Sequence, residues 1–269
     1  MDGYGISNAL RFKARSFQYY RRTGIVSAGI KDIIREAMDR DYRKSRYARF
    51  LSGLSAYVEK NYGIRFSDDT PPWSLTEIFL DNIYDSIGEF IPGKGDTVVD
   101  VGAQFGDYSL LCSRYYGCSR VIAFEPLSGN FRVLRKNLEL NSAANVEAVN
   151  AAVGDGEGYI TIGHDGLMAS AFGGPLEERV KMVTLDSQRL RPDIMKVDVE
   201  GYEMHVLRGA CSTIEANMPR LIVETHSLSL RKSVTEFLTG MGYRKPIKGR
   251  KVMNRVMGEV MNLYFLPGS

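Results

Sequence analysis

The chain has 269 residues, 44% of them hydrophobic and 25% charged, and a net charge of +3, which is an ordinary globular composition with room for one large or two small cores. No apolar run approaches the roughly 20 residues of a membrane span, and the N-terminus has no apolar stretch of the signal-peptide type. The three cysteines are too scattered for a disulfide framework or a zinc site, so we expect reduced thiols and a cytoplasmic protein.

The front of the chain is basic. Residues 1–70 contain 14 Lys and Arg against 8 Asp and Glu, whereas the remainder contains 21 against 24. This segment is rich in helix formers with apolar residues at helical spacing, and Pro71 and Pro72 are predicted to end it. We therefore predict a helical domain over residues 1–70 and a second domain over residues 71–269. The positive charge indicates contact with an anionic partner, with a solvated helical face as the alternative.

Strands and helices alternate in the second domain. After a predicted helix, SLTEIFLDNIYDSIGEF, the apolar and β-branched runs predict strands at TVVDVGA, VIAFEP, VEAVNAAVG, DIMKVDVE, LIVETH and VMNLYFLP. YITIG and VKMVTLD predict a hairpin around a glycine-rich loop. Strands that alternate with helices imply right-handed crossovers, so the predicted fold class is α/β with an open, doubly wound sheet.

The first of these strands ends in a glycine turn, VVDVGAQFGDYS. Gly102 and Gly106 allow the backbone to bend tightly and to approach a ligand. Asp100 can accept hydrogen bonds from loop amides or a cofactor amine, and Glu125, at the tip of the next strand, can bind both hydroxyls of a ribose. The pattern DxGxxxG is neither GxGxxG nor a phosphate loop, which favours S-adenosylmethionine over NAD. Asp155 is either an adenine contact or an ordinary turn aspartate.

The strand DIMKVDVE carries three ionisable side chains on one face, although a parallel strand covered on both faces should be almost wholly apolar. Ligands of open α/β sheets sit beyond the carboxyl ends of the strands, where Asp198 and Glu200 lie. Glu224 and His226 end the next strand and share a face. We therefore expect these four side chains and Lys196 to meet in one mouth. Lys196 would offset the carboxylates, Asp198 or His226 would deprotonate a hydroxyl acceptor, and Glu224 would orient the imidazole or the acceptor. Carboxylates and a histidine could bind a divalent ion, but no tight ligand motif is present, so no metal is predicted.

Four segments together resemble the FkbM-type methyltransferases: VVDVGAQFGDYSLL, AFEPLSGNFRVLRKNLELN, VTLDSQ…PDIMKVDVEGYEMHVLRGA and LIVETH, within roughly residues 95–269. The resemblance implies the class I methyltransferase fold, a Rossmann-like, mostly parallel, seven-stranded sheet with a reversed last hairpin, here behind a helical N-terminal extension. It implies S-adenosylmethionine as the donor and, usually, O-methylation of a sugar or natural product. The predicted cofactor site contains Asp100, Gly102, Ala103, Gly106, Tyr108, Ser109, Glu125, Pro126 and Asp155.

Three functions stay open at this point. The first is a methyltransferase that acts on a hydroxyl of a sugar, a glycan or a small metabolite. The second is an RNA (tRNA) methyltransferase, because RFKARSFQYYRRTG mixes cations with aromatic side chains, which suits RNA binding through residues 1–70. The third is an idle binding or dimerisation module, against which the intact acidic cluster argues. The sequence leaves the oligomeric state undetermined.

Overall fold

The computed structural model describes residues 53–164, 169–170, 175–254 and 258–268. The chain divides into two compact units, with the boundary between Asn82 and Ile83. Most of the predicted domain over residues 1–70, including its basic and aromatic stretch, lies outside the described residues, and that domain stays a prediction. In the first unit, residues 53–62 (α1) and Pro72–Phe79 (α2) are helical, and the rings of Tyr62 and Phe79 meet edge-on at 4.9 Å.

The two prolines start a helix, but they do not end the preceding one as predicted, because α1 ends at residue 62 and Gly63 follows with a φ of +69°. Pro71 is the extended N-cap of α2 and Pro72 is its first residue. Proline suits this position because its φ is already near the helical value and its missing N–H is not needed in the first turn. The helix predicted to continue as far as Phe90 is wrong, since α2 ends at Phe79 and turns follow, with Asn82 at a φ of +50°. A short 3₁₀ turn spans Gly88–Phe90.

Eleven strands are described in the second unit. They are β1 Thr97–Val101, β2 Arg120–Phe124, β3 Val146–Val149, β4 Ala152–Val153, β5 Gly158–His164, β6 Ala169–Ser170, β7 Leu176–Val183, β8 Ile194–Val197, β9 Arg220–Thr225, β10 Ile247–Asn254 and β11 Gly258–Phe265. The large sheet has seven strands in the order β10-β11-β9-β8-β1-β2-β3, and only the pairs that include β11 are antiparallel. This arrangement confirms the predicted Rossmann-like sheet with a reversed last hairpin.

The helices of this unit connect the strands of the large sheet. They are α3 Asp107–Leu110, which continues as a π-helical turn over Leu111–Tyr116, α4 Ser128–Leu140, α5 Glu203–Arg208, α6 Cys211–Asn217 and α7 Leu228–Gly240. A smaller sheet has the order β4-β7-β5-β6, and its antiparallel β5–β7 pair is the hairpin that the sequence predicted. Among the residues that the structure describes, no helix has the length and apolar character needed to cross a bilayer.

Three neighbouring strands position the candidate site. β8 lies between β1 and β9, and Val197 is in register with Val101 on one side and with Val223 on the other. Both faces of these strands are buried, as the apolar side chains of a covered parallel sheet require. The predicted strand DIMKVDVE included Asp198 and Glu200. In the structure β8 ends at Val197, so both residues lie just past the strand. Their side chains can therefore face the end of the sheet without interrupting the core.

Candidate active site

The glycine turn after β1 is packed directly against the chain that leaves β8. Gly102 has a φ of +81°, and a Cβ there would lie 1.8 Å from the carbonyl oxygen of Asp198. Gly106 has the same φ, and its Cβ would lie 2.4 Å from Cδ1 of Leu134 on α4. Both positions need glycine, because an L side chain would be strained and would also collide with a neighbour. Gly102 thus brings this loop close to the carboxyl end of β8, and Gly106 brings it close to α4.

Glu125 joins the loops that follow β1 and β2. Its carboxylate accepts hydrogen bonds from the backbone N–H groups of Gln104 at 3.0 Å and Leu127 at 2.9 Å, and from the side-chain amide of Asn130 at 3.4 Å. Burial raises the pKa of Glu125 to about 8, although these hydrogen bonds and the charge of Lys196 act in the opposite direction. A buried carboxyl at the tip of β2 is therefore held in one orientation.

Lys196 connects β8 to β1 inside the sheet. Its Nζ donates to the carbonyl oxygen of Gly102 at 2.7 Å and lies 3.2 Å from Oδ1 of Asp100 and 3.7 Å from Oδ2 of Asp198. Burial lowers the pKa of Lys196, but the charges of Asp100, Asp198 and Asp107 outweigh burial and raise it. The other oxygen of Asp100, Oδ2, accepts a hydrogen bond from the Ser109 hydroxyl at 2.6 Å. Asp100 is thereby fixed from two sides.

His226 is the centre of a group of carboxylates. Its Nδ1 lies 2.8 Å from Oε1 of Glu203, and its Nε2 lies 3.3 Å from Oε2 of Glu200, 3.6 Å from Oε1 of Glu224 and 3.9 Å from Oδ1 of Asp198. Burial lowers the pKa of the imidazole, but the hydrogen bond and charge of Glu203 and the charges of Asp198 and Glu200 more than offset burial and raise it to about 10. The raised pKa favours the protonated form of the imidazole at neutral pH.

Two residues of this cluster escaped the sequence analysis. The Tyr84 hydroxyl donates to Oδ2 of Asp198 at 2.8 Å across 114 positions of sequence, and the ring centroid of Tyr84 lies 5.3 Å from Nζ of Lys196. Glu203 is fully buried and accepts a hydrogen bond from the N–H of Gly201 at 3.0 Å in addition to its contact with His226. Glu203 had a local signal, because it follows Glu200 by three residues in EGYE. Tyr84 had no local signal.

The structure brings together the five predicted residues of the mouth, and Asp100 is joined to them through Lys196. Of the other predicted cofactor residues, Ala103, Tyr108 and Ser109 are buried beside the glycine turn, and Pro126 is half-buried after β2.

Asp155 contacts different residues from the rest of the predicted cofactor site. One of its oxygens lies 2.8 Å from Nδ1 of His205, whose ring stacks on Tyr202 with centroids 4.1 Å apart. The hydrogen bond from His205 lowers the pKa of Asp155. Asp155 is thus engaged by α5 and is not among the described contacts that join the rest of the predicted site.

Comparisons with known proteins agree on one family. The model of the methyltransferase FkbM domain matches residues 100–245. Methyltransferase 1 of Beauveria bassiana is 29% identical over 164 residues, which cover 49% of this chain and 64% of that protein. The hexuronic acid methyltransferase AglP of Haloferax volcanii is 27% identical over 154 residues, which cover 54% of this chain and 62% of that protein. The chain therefore spans less than two thirds of the length of both relatives.

A solved structure shares the fold. The crystal structure of a methyltransferase FkbM from Methylobacillus flagellatus KT superimposes with a TM-score of 0.53 at 20% identity, covering 68% of this chain and 47% of that chain. The similarity supports the architecture of the large sheet.

Proposed function

Because the chain belongs to the FkbM methyltransferase domain family, we propose that it is an S-adenosylmethionine-dependent methyltransferase that acts on a hydroxyl of a sugar, a glycan or a small metabolite. One observation carries the proposal. Two buried carboxyl groups, Asp100 and Glu125, stand at the carboxyl ends of the adjacent strands β1 and β2, on either side of a turn that requires glycine. This is the position at which open α/β sheets bind nucleoside ligands.

The residues present fit such a cofactor. Glu125 can accept hydrogen bonds from both ribose hydroxyls, because a carboxyl group offers two acceptor oxygens. Oδ1 of Asp100 makes no hydrogen bond within the described residues and has only its ion pair with Lys196, so it has capacity for a cofactor amine. When bound, S-adenosylmethionine supplies an electrophilic methyl group, whose bond to sulfur breaks with its electron pair on sulfur.

The mouth beside this pocket supplies what a hydroxyl acceptor needs. A new O–C bond requires loss of the hydroxyl proton, and a carboxylate within hydrogen-bond reach can take it. Asp198, Glu200 and Glu224 have side chains that are 13%, 14% and 18% exposed, so they can be reached from the mouth. The raised pKa of His226 favours one of these carboxylates as the base.

The charge of the mouth disfavours an acceptor that carries phosphate. Carboxylates outnumber the two cations, Lys196 and His226, so a phosphate would be repelled while a positively charged sulfonium would be attracted. The similarity to a hexuronic acid methyltransferase also supports a sugar acceptor. The alternative, an RNA methyltransferase, depends on the basic segment that lies mostly outside the described residues, and no observation in the described residues favours it.

Two measurements test the proposal. Calorimetry of the full chain with S-adenosylmethionine should show binding, and Glu125→Ala should weaken it at least tenfold, because hydrogen bonds to a carboxylate contribute about 1.5–3 kcal/mol each. Glu147→Ala, an exposed carboxylate on β3, is the matched control and should bind like the wild type. Absence of binding to the wild type would refute the cofactor assignment.

The acceptor is tested separately. Radiolabelled methyl groups should be transferred to a carbohydrate or metabolite fraction and not to RNA. Label that appears in tRNA instead would overturn the proposed acceptor and establish the alternative.

A further inference from the structure

We propose that Asp198, Glu224 and His226 form a binding site for one divalent cation of the Mn²⁺ type. Each offers one ligand atom, and these atoms lie within 4.8 Å of one another. The proposal that an ion binds here is based only on the geometry of these side chains. Its chemical role rests on the proposed methyl transfer to a hydroxyl.

The spacing of the ligand atoms fits a metal better than a set of hydrogen bonds. From Nε2 of His226, the oxygens of Glu224 and Asp198 lie at 3.6 and 3.9 Å. These distances exceed the hydrogen-bond range for N–H···O, which ends at about 3.2 Å. Ligands that bind one ion at about 2.1 Å stand roughly 3.0–3.4 Å from each other in octahedral or tetrahedral geometry. The ligand atoms, now up to 4.8 Å apart, would therefore move closer together around a bound ion.

The imidazole is already oriented as a metal ligand. His226 is buried, and its Nδ1 is engaged by Oε1 of Glu203, which a backbone N–H of Gly201 also holds. Nε2 is aimed at the carboxylates, with Oε2 of Glu200 at 3.3 Å, and a bound ion would replace the proton on this nitrogen. Metal-binding histidines almost always give their second ring nitrogen to a carboxylate or carbonyl group in this way.

Asp198 is oriented in the same manner. Tyr84 holds Oδ2 with a hydrogen bond of 2.8 Å, and Lys196 lies 3.7 Å from the same oxygen. The other oxygen, Oδ1, is the one that faces Nε2 of His226. Both ligands are thus fixed by their non-coordinating atoms, which lowers the entropy cost of binding an ion.

The charge and the donor types indicate the kind of ion. Asp198, Glu200, Glu203 and Glu224 surround the imidazole of His226, and the buried Lys196 beside them is shared with Asp100. A divalent cation would neutralise part of this surplus. Carboxylate oxygens suit Mg²⁺ and Mn²⁺, while the imidazole shifts the preference towards transition metals, so Mn²⁺ is the best single probe.

The ion would prepare the acceptor. An acceptor hydroxyl bound to it becomes more acidic, as water does on a bound metal ion. In the transfer, the hydroxyl proton goes to Glu200, the oxygen forms its bond to the methyl carbon, and the carbon–sulfur bond breaks with its electrons on sulfur. Glu200 then acts as the base, while Asp198 and Glu224 act as ligands.

The test is direct binding of Mn²⁺ to the full chain after treatment with a chelator. Electron paramagnetic resonance of free Mn²⁺ and calorimetry should give one ion per chain. Asp198→Asn and Glu224→Gln should each lower the affinity at least tenfold, and Glu203→Gln should lower it roughly 10–100-fold because it releases the imidazole. Glu139→Gln, whose side chain is 72% exposed on α4, is the matched control.

Two results would overturn the site. One is no binding of Mn²⁺, Mg²⁺ or Zn²⁺ at millimolar concentration. The other is wild-type affinity in both Asp198→Asn and Glu224→Gln, with circular dichroism showing that they fold. Binding of S-adenosylmethionine, measured with chelator present, separates this result from failure of the proposed function. Cofactor binding without ion binding would refute only the metal site, and ion binding without cofactor binding would refute only the cofactor assignment.

Discussion

Replacing Lys196 with methionine removes a cation that lies between two carboxylates inside the sheet. Its Nζ is 3.2 Å from Asp100 and 3.7 Å from Asp198, and the side chains of Lys196 and Asp100 are only 4% and 0% exposed. Removing one partner of a buried ion pair leaves the other charge without compensation and costs about 3–5 kcal/mol. The hydrogen bond to the carbonyl of Gly102 is lost as well. We therefore expect Lys196→Met to lower the free energy of unfolding by about 3–5 kcal/mol.

The assay is urea denaturation followed by circular dichroism, combined with a double-mutant cycle. Asp100→Asn removes the carboxylate that is in register with Lys196 on the neighbouring strand. The double variant should be destabilised by less than the sum of the two single variants, with a coupling free energy of about 1–3 kcal/mol. Lys232→Met, in an exposed ion pair with Glu236 on α7, is the control and should change stability by no more than about 0.5 kcal/mol.

Two outcomes would refute the reasoning about Lys196. One is a loss of less than about 1 kcal/mol in Lys196→Met, which is the range of an exposed pair and would mean that solvent compensates the carboxylates. The other is strict additivity in the cycle, which would mean that Lys196 and Asp100 are not energetically coupled in the folded protein.

Three further changes have defined outcomes. Gly102→Ala should abolish detectable S-adenosylmethionine binding in calorimetry, because its Cβ would lie 1.8 Å from the carbonyl oxygen of Asp198. Glu125→Gln should flatten the pH dependence of the free energy of unfolding, measured by urea denaturation. The wild-type carboxyl has a folded pKa of about 8, so it contributes stability that is fully present below its unfolded pKa and is lost as the pH rises through 8. The loss should reach up to about 5 kcal/mol. Tyr84→Phe should lower the free energy of unfolding by about 1.5–3 kcal/mol, because Asp198 loses a hydrogen bond to a charged group.

Each of these changes has a control or a contrary result. Gly95→Ala shares a positive φ, +100°, but has nothing within 4 Å of its Cβ, so it should keep cofactor binding. A Glu125→Gln curve that runs parallel to the wild-type curve between pH 5 and 9 would show that the folded pKa is not raised. Tyr159→Phe, on an exposed ring, should leave stability unchanged, and equal effects of the two tyrosine changes would contradict the Tyr84 contact.

Patterns within a few residues predicted six of the seven strands of the large sheet, but not β10, Ile247–Asn254. The runs TVVDV, RVIAF and RLIVET are apolar and β-branched and end at turns, so each strand was recognisable from its own residues. The helix predicted through residue 90 was wrong because helix propensity does not show where the chain leaves the helix, as it does before Asn82 at a φ of +50°.

The sequence by itself determined which strands carry charge at their carboxyl ends and, through its motifs, the family. Only the tertiary structure decided the partner of each charged group: Asp198 meets Tyr84, His226 meets Glu203, and Asp155 meets His205. The physical reason is the order of the strands. Which face of a strand a side chain occupies follows from the alternation of neighbouring residues, which is visible in the sequence. Its neighbour on the next strand depends on which strands pair, and those strands are far apart in the chain.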